Sequence, residues 1–178
     1  PSKKAHEKEK TSEAESSQNP EGIFEDQESA ILGMFGRNLT ELAKNGSIDP
    51  VYGRSREIES IVDILGRKRN NNPLIIGPAG SGKTAVVEAI ALRQMEGLLQ
   101  GKEIWELNLS SLVGGTEYRG SLEKRISSLL EFVEKNSEKI VVFIDEIHLL
   151  FSSGNDVIAN MLKPALSRGM FPLIGATT

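Results

Sequence analysis

Pro73-Leu74-Ile75-Ile76-Gly77-Pro78-Ala79-Gly80-Ser81-Gly82-Lys83-Thr84 is the stretch whose reading decides the fold. Its apolar run, Leu74 to Ile76, predicts a strand that stops at Gly77 and gives way to a glycine-rich turn. The turn ends in Lys83-Thr84, and the segment beyond it, Ala85 to Met95, reads as a helix. The spacing G-x-x-x-x-G-K-[ST] between a strand and a helix describes a phosphate-binding loop, or Walker A motif. Gly77, Pro78, Ala79, Gly80, Ser81, Gly82, Lys83 and Thr84 are therefore the candidate nucleotide-binding residues. The glycines let backbone N–H groups converge on phosphate oxygens. The helix that opens near Lys83 adds the partial positive charge of its N-terminus. Lys83 is placed to reach the β- and γ-phosphates in a catalytic role, and the Thr84 hydroxyl to ligate Mg²⁺. A surface loop that merely contains Lys-Thr is the bland alternative, and the flanking strand and helix stand against it.

A second strand end completes the chemistry. Lys139 to Ile144 is apolar and β-rich, the pattern of a strand buried on both faces of a parallel sheet, and it runs into Asp145-Glu146. An acidic pair at a strand end is ordinary by itself; paired with a phosphate loop it reads as a Walker B motif. Asp145 would hold Mg²⁺, since a hard cation takes carboxylate oxygen. Glu146 would act as general base on the attacking water.

Strands and helices alternate around these motifs. Upstream, a short helix is predicted from Leu39 to Lys44, then a turn at Asp49 to Arg54. Ser55 is the expected N-cap of a helix from Arg56 to Arg67, with Ile58, Ile61, Val62 and Leu65 on one face. Downstream come a loop from Gly97 to Gly101, a strand from Glu103 to Leu109 with Trp105 as a packing residue, and a glycine-framed loop from Gly114 to Gly120. A helix from Ser121 to Lys135 follows, then a loop at Ser152 to Asn155 and a helix from Asp156 to Ser167 that Pro164 kinks or ends. The last strand is predicted at Phe171 to Gly175. The class is α/β with a parallel sheet between helices.

Composition narrows the setting. Residues 1–22 contain no Val, Ile, Leu, Met, Phe or Trp, so 1–30 reads as a flexible linker or tail and 31–178 as the folded domain. The net charge of −4, with no basic cluster beyond Arg67-Lys68-Arg69, argues against a nucleic-acid partner. Zero cysteines exclude disulfides and cysteine-bound zinc. No apolar run suits a membrane span, and Pro-Ser-Lys-Lys is not followed by the apolar core of a signal peptide. A soluble intracellular protein is the expectation.

Asp49-Pro50-Val51-Tyr52-Gly53-Arg54, the phosphate loop, Gly115-Thr116-Glu117-Tyr118-Arg119-Gly120, Asp145-Glu146-Ile147-His148, Asn160 to Leu166 and Gly175-Ala176-Thr177-Thr178 occur in that order. Together they resemble the first ATPase domain of a Clp-type AAA+ unfoldase, over Phe35 to Thr178. The resemblance implies an AAA+ P-loop NTPase large subdomain, truncated before its last strand and helical lid. It implies ATP and Mg²⁺ as ligands, and Val51 and Tyr52 lining an adenine pocket. Tyr118 would grip substrate from a pore loop, beside Glu117 where the family usually has a basic residue. Thr178 would be the catalytic sensor of the γ-phosphate or its water, and His148 reads as structural.

The implied function is ATP hydrolysis that unfolds protein substrates and threads them through a homo-hexameric ring; the alternative is an ATP-gated ring-assembly module with little turnover of its own. Partners implied are polypeptide substrates and an adaptor or a ClpP-like protease, with no nucleic acid or membrane. The implied location is the cytoplasm or an organelle of bacterial origin. The loops at Gly97–Gly101 and Ser152–Asn155 are shorter than the family's. The family's arginine fingers, worth roughly 10³–10⁵ in rate, lie past Thr178, so the isolated fragment is expected to hydrolyse ATP weakly.

Overall fold

Strand β4 (Ile140–Ile144) is buried at all five positions and forms the axis of the domain. The computed structural model describes residues 30–114, 119–151 and 156–178. Around β4 the sheet runs in the order β1-β3-β4-β5-β2. β3 (Glu103–Leu107), β5 (Leu173–Thr177) and β2 (Leu74–Ile76) continue it in parallel, and β1 (Gly36–Asn38) closes one edge antiparallel to β3.

Side chains of a strand alternate between faces, so β4 feeds two cores. Val142 and Ile144 pack with Trp105 and Leu107 against Leu129 and Val133 of helix α5 (Arg119–Lys135) and Ile158 and Leu162 of helix α6 (Asp156–Arg168). Val141 and Phe143 face the other side. There they meet Leu39 of α1 (Leu39–Lys44), Ile58 and Ile61 of α2 (Ser55–Leu65), and Val87 and Ile90 of α3 (Lys83–Arg93). This is the layered arrangement the alternating pattern predicts, and it leaves the carboxyl ends of the strands open as a rim for ligands.

Several boundaries differ from the sequence reading, each for a local reason. β1 was not foreseen, because three residues carry no periodicity. Gly36 permits it: a Cβ there would stand 2.0 Å from the Glu106 carbonyl oxygen, so only glycine fits against β3. Asn38 then caps α1 by accepting from Glu41 N at 3.0 Å, and Thr40 Oγ1 accepts from Ile104 N at 2.9 Å, tying α1 to β3. The expected strand to Leu109 stops at Leu107. Asn108 turns the chain, its side chain accepting from Ser110 N and Ser111 N at the start of the short helix α4 (Leu109–Val113).

Ser55 does not cap α2; it is the first helical residue, and Arg54 occupies the cap position without a side-chain cap. That helix ends at Leu65 rather than Arg67. The last strand is shifted to Leu173–Thr177. Pro164 sits inside α6 without ending it. The carbonyl its ring deprives of a donor belongs to Asn160, which is exposed and open to water.

Candidate active site

Three strands deliver their carboxyl ends to one place. Ile76 of β2 lies opposite Thr177 of β5, and Ile144 of β4 lies opposite Gly175. Gly77 N donates to Thr177 O at 3.2 Å, so the phosphate loop starts against the end of β5. Within the loop Gly80 and Gly82 have φ of +75° and +83°, a region that residues with a Cβ rarely enter. Gly82 stands at the N-cap of α3 and offers no side-chain oxygen to its N–H groups. Those first-turn donors are therefore directed at whatever anion the loop receives.

Lys83 is 8% exposed, and its Nζ donates to Gly77 O at 3.1 Å and Pro78 O at 3.2 Å. Burial of an ammonium is tolerated because these carbonyls solvate it, and they hold it across the mouth of the loop. Thr84 Oγ1 donates to Asp145 Oδ2 at 2.9 Å, while Asp145 Oδ1 accepts from Glu146 N at 2.8 Å. The Asp145 carboxylate is thus oriented from both sides and shares its site with a hydroxyl. Hard oxygen donors of this kind fit Mg²⁺. Among the described residues no group of three or more His, Cys, Asp or Glu could hold a metal. Mg²⁺ takes one or two protein ligands and completes its shell with phosphate and water.

Glu146 has φ of +49°. For a residue with a side chain this left-handed geometry costs roughly 1–2 kcal/mol, and strain of this kind gathers at functional sites. The carboxylate reaches His148, with Oε2 at 3.2 Å from Nδ1, and the same nitrogen lies 3.0 Å from Thr177 Oγ1.

The remaining candidates are spread around this centre. Val51 is half-buried against the α1–α3 core, and Tyr52 is 85% exposed. Their turn is tied to the loop by Arg54, which the sequence reading did not single out. Arg54 Nη2 donates to Ser81 O at 2.8 Å and Nη1 to Glu57 Oε1 at 3.0 Å. Glu57's carboxyl is held below its ordinary pKa, first by its own backbone N–H and then by Arg54. Thr178 follows β5 and is exposed; the hydroxyl that reaches the acidic pair's cluster belongs to Thr177. Tyr118, Glu117 and the loop 152–155 lie outside the described residues. A cavity of about 490 Å³ lined by Arg67, Lys102 and Phe171 sits at the amino ends of the strands and holds none of the candidate residues.

A family model described as ATPase family associated with various cellular activities (AAA) matches residues 73–178. The chain belongs to this AAA family. The match contains the phosphate loop, Asp145, Glu146 and Thr178, the rim assembled above. This AAA chain is 47% identical over 165 residues to the chaperone protein ClpB of Tropheryma whipplei (strain Twist), covering 88% of this chain and 23% of that protein. It is 48% identical over 161 residues to the Clp protease ATP-binding subunit ClpE of Streptococcus pneumoniae serotype 4, covering 85% and 21%. Among solved structures it resembles the S. cerevisiae Hsp104–ADP complex, with a TM-score of 0.73 and 44% identity over 83% of this chain and 21% of that one. The S. cerevisiae Hsp104–casein complex in its extended conformation gives a TM-score of 0.75 at 43% identity over 83% and 26%. The AAA domain, of Clp type, and its α/β architecture with a mostly parallel sheet are therefore those the sequence implies, with β1 added to the strands it named. The chain spans less than a quarter of these curated relatives. Among the described residues no helix is long and apolar enough to cross a membrane.

Proposed function

We propose that this domain binds ATP with Mg²⁺ and hydrolyses it, and that turnover unfolds polypeptides and threads them through a homo-hexameric ring. The observation that carries the ATPase part is the hydrogen bond from Thr84 Oγ1 to Asp145 Oδ2 at 2.9 Å, with Glu146 beside it. It joins the phosphate loop to the acidic strand end in one site. Loop N–H groups and Lys83 bind and orient the phosphates; Thr84 and Asp145 hold the cation, which when bound neutralises phosphate charge. Glu146 takes the proton of the attacking water. Val51 and Tyr52 receive the adenine, and Thr178 senses the γ-phosphate from the end of β5. Residues 31–178 act as one nucleotide-binding unit behind a tail at 1–30. Threading through Tyr118 is supported by the likeness to ClpB and to Hsp104 solved with casein. An adaptor or a ClpP-like protease is the further partner this reading admits.

The test is Glu146→Gln in the full-length protein. ATP binding is expected to persist while hydrolysis falls by about 10²–10⁴-fold, the range for loss of a general base. Hydrolysis at the normal rate would remove Glu146 from that role. Tyr118→Ala tests threading separately: unchanged unfolding of a model substrate leaves the domain as a ring-assembly module.

A further inference from the structure

The imidazole of His148 stands between two oxygens that come from different strands. Its Nδ1 is 3.2 Å from Glu146 Oε2 and 3.0 Å from Thr177 Oγ1. The single turn that carries it, Ile147–Phe151, is anchored on both sides. Leu150 is fully buried in the core below, and Leu149 N donates to Glu146 O at 2.9 Å. Ile147 lies over Gly175 of β5, so closely that a Cβ there would stand 3.1 Å from Ile147 Cδ1. The backbone is therefore fixed relative to β5, and the ring's contacts follow from a rigid frame.

The hydrogen bonds also select the tautomer. Thr177 Oγ1 donates to Thr178 O at 3.4 Å, which leaves its lone pairs facing Nδ1. The Glu146 carboxylate can only accept. Both neighbours of Nδ1 are then acceptors, so Nδ1 carries a hydrogen. One N–H is shared between the carboxylate and the hydroxyl. Thr177 has a second tie, because its carbonyl accepts from Gly77 N at the first residue of the phosphate loop. A chain of contacts thus runs from the loop through Thr177 and His148 to Glu146.

We propose that His148 is a positioning residue for the ATPase reaction: its Nδ1–H holds the Glu146 carboxylate in the orientation that accepts the water proton, and Thr177 holds the ring. This rests on Glu146 being the base. Glu146 is both backbone-strained and half-exposed, and among the described residues the ion-pair partner of its carboxylate is His148. His148 supplies the carboxylate's direction from outside the phosphate loop. The consequence is a split in the kinetics. Loss of the ring lowers kcat and leaves nucleotide affinity alone, whereas a merely structural tie between turn and strand would disturb folding or both parameters together.

The experiment uses the full-length protein and reads steady-state ATP hydrolysis, affinity for a fluorescent ADP analogue and thermal midpoint. His148→Leu is expected to lower kcat about 10- to 100-fold, as loss of an orienting partner does, with unchanged ADP-analogue affinity. In His148→Asn the amide nitrogen falls near the Nδ1 position, so kcat should return to within roughly threefold of the parent. His148→Gln, whose amide reaches the Nε2 position instead, should stay as slow as His148→Leu. Thr177→Val should lower kcat by less, roughly three- to tenfold. A His148→Leu kcat equal to or above the parent's overturns the proposal, as does equal activity of the Asn and Gln variants. Glu146→Gln run alongside separates the two claims. If it hydrolyses ATP normally, the base assignment itself fails; if it is inactive while His148→Leu is normal, only the positioning role fails.

Discussion

β4 and β2 are short apolar strands that both end in chemistry, and the fold holds them in opposite ways. β4 is central, buried at every position, and delivers Asp145 and Glu146. Among the described residues β2 pairs with β5 alone, leaving Leu74 52% and Ile76 71% exposed, and it delivers the phosphate loop. The acidic half of the site is thus mounted on a strand paired on both sides and buried throughout, and the phosphate half on one that pairs, among the described residues, with β5 alone. The phosphate half is tied in by polar contacts local to the loop: Gly77 N to Thr177 O, and Arg54 to Ser81 O.

Substitutions can break or sharpen this contrast. The largest effect on stability is expected from Phe143→Ala in β4. Phe143 is fully buried, and its loss should cost about 3–5 kcal/mol, read as a fall in the denaturant midpoint at constant slope. A cost below about 1 kcal/mol would mean that the core is not organised on β4. Next is Lys83→Ala, which strips a charged donor from the loop. It should weaken ADP-analogue binding by about 10- to 100-fold, measured by fluorescence titration, since bonds to charged groups are worth roughly 1.5–3 kcal/mol.

Ile76→Ala in this 178-residue chain is the counterpart of Phe143→Ala on β2. With Ile76 mostly exposed, the change should stay within roughly 0.5 kcal/mol in the same denaturation experiment. The smallest effect belongs to Glu57, which pairs with the arginine that ties the turn to the loop. Its folded pKa lies below the ordinary 4.5, so its contribution is present above that value and is lost as pH falls through the lowered one. Thermal scans between about pH 6 and about pH 3 should show a slightly shallower loss for Glu57→Gln than for the parent.

The parts legible in the sequence are those that depend on neighbours along the chain. The phosphate loop and α3 follow from glycines that must take positive φ and from a helix that starts at Lys83. β4 was legible because an unbroken apolar run has few other uses. β1 was not, since Gly36 makes sense only against the Glu106 carbonyl far along the chain. Ser55 was misread as a cap because Arg54, drawn toward Ser81 O, already occupies that position. The contacts of His148 with Glu146 and Thr177 were equally hidden, because they join the ends of different strands. In the sequence His148 follows the acidic pair and reads as structural.

The left-handed backbone at Glu146 carries one more consequence. Asparagine adopts that conformation far more readily than glutamate does. A library of variants sorted only for expression and heat resistance would therefore enrich asparagine at position 146, and one sorted for ATP turnover would discard it. The same residue would be scored as a defect by one screen and as indispensable by the other.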